Sequence, residues 1–137
     1  MRVMFAEGSG GWESHGSVDA LDPIEARLLW AVRRLALMQP IGAARCHAVH
    51  IGLQQDFGEA GLGIEHLLRC ILVGLSRTAT RRLVVGEPGC AIVMTDEAGL
   101  LALMRGRAGR GALSAVAGTD AAARLMPLFR GVAALMG

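Results

Sequence analysis

The chain has no lysine and no tyrosine, and its only aromatic residues are three Phe and two Trp. Without lysine it lacks the G-x-x-x-x-G-K-[ST] loop with which many nucleotide-hydrolysing proteins hold phosphates. It also contains neither the G-x-S-x-G motif of serine hydrolases nor the H-E-x-x-H helix of metalloproteases. These absences exclude three motif-based enzyme classes and favour a protein that works without catalysis.

Long apolar runs are also missing. The segment from Ile64 to Leu75 comes closest to the about 20 apolar residues that span a membrane, but Glu65, His66 and Arg69 interrupt it. The first residues lack the apolar stretch and the small-residue cleavage site of a signal peptide, so we expect a cytoplasmic protein. In that compartment the three cysteines are expected to be thiols rather than a disulfide framework.

What the chain does have is enough apolar surface for a core. Hydrophobic residues make up 53% and charged residues 19%, which excludes an intrinsically disordered chain. We expect a flexible tail over residues 1–20 and a single helical domain over 21–137. The predicted fold is mainly α, a compact bundle of about five helices with at most one short β-hairpin.

The helical segments follow from local signals. Asp22 and Pro23 are typical of a helix start, and apolar residues then recur at helical spacing until Pro40. Further helices are predicted over "IGAARCHAVHIGLQQDF" and "IEHLLRCILVGLSRT", after Thr95, and after Thr119. The short segments "RRLVVG" and "AIVM" are the two strand candidates, paired across the "GEPGC" turn.

Cysteine and histidine occur in two pairs with the spacing of helical metal ligands. Cys46 and His50 form C-x3-H, and His66 and Cys70 form H-x3-C, so each pair lies on one helical face. If the two helices form an antiparallel hairpin, the four side chains spread over roughly 12 Å along it, at 1.5 Å per residue. One zinc ion cannot reach all four, and His50, Cys70 and Cys90 form the preferred set. The alternative is that the cysteines are small packing residues and the histidines are solvated.

Cys90 stands in "EPGCAIVMTDE", after a Pro-Gly turn. It is the best nucleophile candidate, but no histidine partner is recognisable, so it is interpreted as a candidate ligand or sensor thiol. The second half of the stretch indicates a helix start, with Thr95 as cap and Asp96 and Glu97 placed favourably in the helix dipole.

Arginine supplies all fourteen basic residues, yet the formal net charge is only +2. The stretch "RGRAGRG" places Arg105, Arg107 and Arg110 among glycines, and guanidinium groups bind phosphates bidentately. This loop is a candidate anion-binding site, with a solvated linker as the alternative. Nucleic-acid binding is disfavoured because the charge is low and stacking aromatics are few.

Three stretches, "DPIEARLLWAVRRLA", "HLLRCILVGLSRTATRRLVV" and "PGCAIVMTDEAGLL", resemble a family of short bacterial proteins across residues 22–104. The resemblance implies a compact helical domain and supplies no activity. Relatives carry a cysteine-rich turn where this chain has only Cys90, so the resemblance argues against a thiol-dense metal or redox centre here.

Three functions therefore remain open. The first is a small non-catalytic interaction or regulatory protein, binding a protein partner or a second copy of itself. The second is a thiol and imidazole protein that binds zinc or senses redox state. The third is nucleic-acid or phosphate binding through the arginine-glycine loop.

Overall fold

The computed structural model describes residues 3–6, 14–38, 40–41 and 44–137. This part of the chain is mainly helical, as predicted, and it contains six α-helices where about five were expected. They are α1 (Pro23–Leu37), α2 (His47–Phe57), α3 (Ala60–Thr78), α4 (Thr95–Met104), α5 (Arg110–Ala117) and α6 (Thr119–Met136). None of these helices is long and apolar enough to cross a lipid bilayer.

Helix α1 begins where the sequence predicts it. The Asp22 carboxylate accepts a hydrogen bond of 2.8 Å from the Glu25 backbone amide, and Pro23 occupies the first turn. The hydrogen bond from the Glu25 amide holds the pKa of Asp22 below its ordinary value. Leu28 and Leu35 are completely buried, so the predicted apolar stripe of α1 faces the core.

Helices α2 and α3 form a tight antiparallel pair. Helix α2 begins at His47, later than the predicted start at Ile41. The chain turns at Gly58, whose φ of +63° is strained for residues with a side chain. At Gly61 a Cβ would lie only 2.6 Å from the Leu53 carbonyl oxygen, so the missing side chain lets the two helices cross closely.

In the described part of the chain four short strands form two small sheets, and the predicted pairing of the two strand candidates with each other is wrong. Strand β1 (Val3–Ala6) pairs in parallel with β3 (Leu83–Gly86), and β2 (Ser14–Ser17) pairs antiparallel with β4 (Ile92–Met94). Both strand candidates are therefore strands, but each takes its partner from the start of the chain.

Side chains occupy the space where the predicted β3–β4 ladder would form. The Gly86 and Met94 amides donate to the Glu97 carboxylate at 2.9 and 2.8 Å. The Ile92 carbonyl accepts a hydrogen bond of 2.8 Å from Arg33 Nη2. Because side chains bind these backbone groups, β3 and β4 pair outward with β1 and β2 instead of with each other.

The described part of the predicted tail, residues 3–6 and 14–20, packs against the helical domain. Val3 and Ala6 are buried, and the Val18 amide donates to the Ala91 carbonyl at 2.8 Å. Four-residue strands carry too little periodicity to be separated from a tail by pattern alone, since their order comes from non-local pairing. Residues 1–2 and 7–13 of the expected tail lie outside the described residues.

Candidate anion-binding groove

Helices α3 and α6 pack closely because leucines of each helix lie over glycines of the other. Leu125 of α6 lies over Gly74 of α3, and Leu67 of α3 lies over Gly131 of α6. A Cβ at Gly131 would be 2.9 Å from Leu67 Cδ1, so the leucines occupy the space that side chains at these glycines would need. The contacts fix the position of one helix along the other.

A groove with a volume of about 470 Å³ opens on the surface between these helices. We call it the arginine groove, because three arginines and a histidine line it. Its described lining residues include no Asp or Glu. They are His66, Arg69, Cys70, Val73, Gly74, Arg77 and Thr78 from α3 and Arg124 from α6.

Two of the groove arginines form no ion pair with a carboxylate in the described residues. Six arginines form ion pairs with carboxylates: Arg27, Arg33, Arg45, Arg81, Arg105 and Arg107. Arg77 and Arg124 are exposed, and neither forms an ion pair or a side-chain hydrogen bond with any residue in the described ranges. Asp120 precedes Arg124 by one helical turn, yet no ion pair joins them in the described structure. The donors of Arg77 and Arg124 are therefore available to a ligand.

A thiol and an imidazole share the groove with these arginines. Cys70 Sγ lies 3.7 Å from His66 Nε2, as the spacing of four residues on α3 predicts. Thr78 closes one end of the groove, and its hydroxyl donates to the Gly74 carbonyl at 2.7 Å. The arrangement combines positive charge, hydrogen-bond donors and one partly exposed thiol.

His50, a predicted zinc ligand, lies beside Glu65 rather than Cys70. Its Nδ1 is 3.6 Å from Glu65 Oε1, and Arg45 Nε is 3.4 Å from the same oxygen. The chain turns at Gly58, and the antiparallel packing of α2 and α3 about this turn sets His50 level with Glu65. The Glu65 carboxylate is completely buried, and the Arg45 guanidinium is its nearby counter-charge.

The remaining predicted ligands lie elsewhere. Cys46 is the N-cap residue of α2, and Cys90 lies in a small hydrophobic cluster beside β4, with Sγ 3.5 Å from the Ile92 carbonyl oxygen. Within the described ranges, no group of three or more His, Cys, Asp or Glu residues is placed to hold a metal ion. The structure does not bring His50, Cys70 and Cys90 together, and zinc binding stays a prediction.

The arginine-glycine loop places its three arginines in different surroundings. Arg107 Nη2 lies 2.7 Å from Glu25 Oε2, and Arg105 Nη2 lies 3.5 Å from Asp22 Oδ2. The hydrogen bond and the charge of Glu25 raise the pKa of Arg107 above its ordinary value. Arg110 is exposed at the first position of α5. Two of the three predicted anion-binding side chains thus contact carboxylates at the start of α1.

A buried arginine and a buried glutamate form a structural ion pair, which sequence reasoning did not identify. Arg33 and Glu97 side chains are 3% and 0% exposed, with Nε 2.7 Å from Oε2. Burial alone lowers the pKa of Arg33, but the hydrogen bonds and charge of Glu97 outweigh it and raise that pKa. Arg33 Nη1 also donates to the Cys90 carbonyl at 2.6 Å. With so many bonds inside the protein, this pair holds α1, α4 and the strands together and is not arranged to act on a ligand.

Half of the arginine groove was visible as a pattern. His66, Cys70, Val73 and Arg77 fall on one stripe of α3 that turns away from its main apolar face. Arg124 was not singled out, because its place opposite that stripe depends on how α6 packs on α3. Glycines within otherwise apolar helices are the signal that could have indicated this close packing.

No protein-family model matches the chain, and neither a curated protein nor a solved structure matches it at a significant level.

Proposed function

We propose that this chain is a small non-catalytic regulatory protein that binds an anionic ligand, of the phosphate or sulfate class, in the arginine groove. One observation carries the proposal: Arg77 and Arg124 present unpaired guanidinium groups from two helices to one groove whose described lining contains no carboxylate. Guanidinium is the side chain best suited to bind planar or tetrahedral oxyanions through two parallel hydrogen bonds.

The size of the groove is consistent with a small ligand. A volume of about 470 Å³ lies within the range of small-molecule sites. Helix α3 supplies all the described lining residues except Arg124. Arg69 adds a third positive charge from the same stripe, and His66 adds an imidazole donor. The groove therefore favours an anion with two or more charges, such as pyrophosphate.

The test is a calorimetric titration of inorganic pyrophosphate into the full chain and into the Arg77→Ala and Arg124→Ala variants. Hydrogen bonds to charged groups contribute about 1.5 to 3 kcal/mol, so each substitution is expected to weaken binding tenfold or more. Arg130→Ala is the matched control, because Arg130 is exposed on the same helix but does not line the groove.

The control variant has the same net charge as the test variants, so it separates a local contact from a general charge effect. Equal affinities for pyrophosphate in the Arg77→Ala and Arg130→Ala proteins would contradict the proposal. Absence of binding to the wild-type protein at millimolar pyrophosphate would contradict it as well.

We propose association with a protein partner or a second copy as the second candidate function. Leu62 and Leu135 are 48% and 39% exposed, and Leu135 packs over Gly63, the residue that follows Leu62 on α3. An exposed apolar patch favours contact with another protein surface. Size-exclusion chromatography with light scattering tests self-association: we expect a dimer that Leu62→Ser with Leu135→Ser dissociates. A monomer at every concentration counts against self-association.

The proposal places the chain in the cytoplasm, where its three cysteines remain thiols. Zinc binding through Cys and His residues is kept as an alternative. Metal analysis of protein purified without an affinity tag tests it, and a stoichiometric zinc content is the result that would support it.

A further inference from the structure

The thiol of Cys70 belongs to a cluster of reactive and charged groups. Cys70 is partly exposed on the wall of the arginine groove, with His66 Nε2 3.7 Å from its sulfur. The guanidinium groups of Arg69, Arg77 and Arg124 line the same groove. A thiol, a proton acceptor and cations are therefore present within one cavity.

The other two cysteines have different surroundings. Cys90 is buried in a small hydrophobic cluster, and Cys46 packs its side chain against the main hydrophobic core at the start of α2. Neither of them lines the arginine groove. Cys70 is thus the cysteine that a charged reagent in the groove reaches.

Exchange between a thiol and a disulfide proceeds through attack of a thiolate on a disulfide sulfur. Negative charge is spread over three sulfurs in the transition state, so nearby cations favour the reaction. If the disulfide itself carries carboxylates, the same cations also hold the reagent beside the thiol. A cationic groove with a thiol in its wall therefore selects for anionic disulfides.

We propose that Cys70 is a site of mixed-disulfide formation with a small disulfide that carries carboxylate groups. This inference rests on the proposed function, because the arginines that bind an anion also position the reagent. It adds the chemical class of the reagent and a covalent outcome. Modification of Cys70 fills the groove and blocks the binding of other anions.

The reaction is balanced without any further oxidant. The Cys70 thiol gives its proton to His66 Nε2, and the sulfur attacks one sulfur of the disulfide. The new sulfur–sulfur bond forms as the old one breaks, and the leaving thiolate departs with the electron pair and takes up the proton. Cys70 is oxidised, half of the small disulfide is reduced, and a second thiol reverses the step.

The test compares two disulfide reagents on the folded full-length chain. One is the dianionic aromatic disulfide dithiobis(nitrobenzoate), and the other is the neutral dithiodipyridine. We measure the rate of thiol release and identify the modified cysteine by peptide mass spectrometry. In the wild type we expect Cys70 to react first with the anionic reagent, and Cys70→Ser to lose this fast phase.

Cys70 reacts with each reagent at its own rate, here called the anionic and the neutral rate. Replacing Arg77 and Arg124 by Ala is expected to lower the ratio of the anionic to the neutral rate by about fivefold to tenfold, the effect of losing one or two screened charge contacts with the reagent. The Arg130→Ala control keeps the wild-type ratio. Added salt lowers the rate with the anionic reagent more than the rate with the neutral reagent, because it also screens the attraction between the groove and the charged reagent. The neutral rate also reports whether each variant keeps Cys70 accessible in a folded chain.

An unchanged rate ratio in the double arginine variant, or first labelling at Cys46, would overturn the inference. Its failure is separable from failure of the proposed function. If pyrophosphate binds through Arg77 and Arg124 while the rate ratio does not respond to them, only the covalent inference is lost. If pyrophosphate does not bind, the proposed function itself is lost.

Discussion

Arg33 and Glu97 form a buried ion pair with two parallel hydrogen bonds, Nε to Oε2 at 2.7 Å and Nη2 to Oε1 at 2.8 Å. Their positions join α1 to the first turn of α4. The remaining hydrogen-bonding capacity of both side chains goes to the backbone between residues 86 and 94. The pair therefore substitutes for the strand ladder that the sequence of β3 and β4 led us to expect.

Removing one charge of this pair is expected to be costly. Glu97→Gln leaves the buried Arg33 guanidinium without its counter-charge, so we expect the free energy of unfolding to fall by about 3 to 5 kcal/mol. Urea unfolding followed by circular dichroism measures the change. Asp56→Asn is the matched control, because Asp56 pairs with Arg27 at the same 2.7 Å but with side chains 40% and 26% exposed. We expect Asp56→Asn to lower the unfolding free energy by about 1 kcal/mol or less. Equal losses of unfolding free energy in the two variants would show that burial does not strengthen the Arg33–Glu97 pair.

Gly86 lies directly beneath the same guanidinium. A Cβ at this position would be 2.6 Å from Arg33 Nη2, so Gly86→Ala must displace the side chain from its hydrogen bonds. We expect a loss of about 1 to 3 kcal/mol in unfolding free energy, as in other overpacked cores. Gly99→Ala in α4 is the contrasting change, since it meets no atom within 4 Å. There alanine is expected to stabilise the helix by about 0.5 to 1 kcal/mol. If both variants raised, or both lowered, the unfolding free energy, the expected clash at Gly86 would be contradicted.

The cap of α1 gives a pH-dependent prediction. The pKa of Asp22 is held below its ordinary value of 3.8, chiefly by the hydrogen bond from the Glu25 amide. A carboxylate with a lowered folded-state pKa contributes stability above the unfolded value, and this contribution is lost as the pH falls below 3.8 through the folded pKa. At neutral pH Asp22→Ala is expected to cost about 1 kcal/mol.

Urea unfolding at a series of pH values measures this effect. The stability difference between the wild type and Asp22→Ala should narrow as the pH approaches and passes below 3.8. Asp22→Asn is the control, since asparagine caps a helix without titrating in this range. A wild-type advantage over Asp22→Ala that stays constant down to the acid transition would show that the carboxylate charge has no part in the cap.

Local signals predicted the helices well, and non-local pairing explains most of what was missed. Helix α1 follows from Asp22, Pro23 and an apolar stripe, all within one stretch of sequence. The pairing of β1 with β3 joins residues about 80 positions apart, such as Val3 with Leu83, and no local pattern encodes it. Strands β1 and β2 were not predicted because they pair only with residues that are distant in the sequence.

In the arginine groove, too, local spacing was predictable from the sequence and contacts between helices were not. The spacing of four residues predicted that His66 and Cys70 share one face of α3. Arg124 joins it only after α6 has folded against α3, and charge patterns along a sequence do not reveal such contacts. Arg33 was missed because it lies beside the main apolar stripe of α1, between Leu29 and Ala36, where an arginine is ordinarily solvated.

The glycine–leucine contacts between α3 and α6 have a consequence for the thermodynamics of binding. Since Leu125 lies over Gly74 and Leu67 over Gly131, α6 cannot slide along α3 without driving a leucine into backbone. The walls of the groove are therefore preorganised, and an incoming anion orders only the ends of a few arginine side chains. Binding should therefore produce almost no change in heat capacity. Gly74 and Gly131, whose missing side chains allow this packing, thereby keep the entropic cost of recognition low.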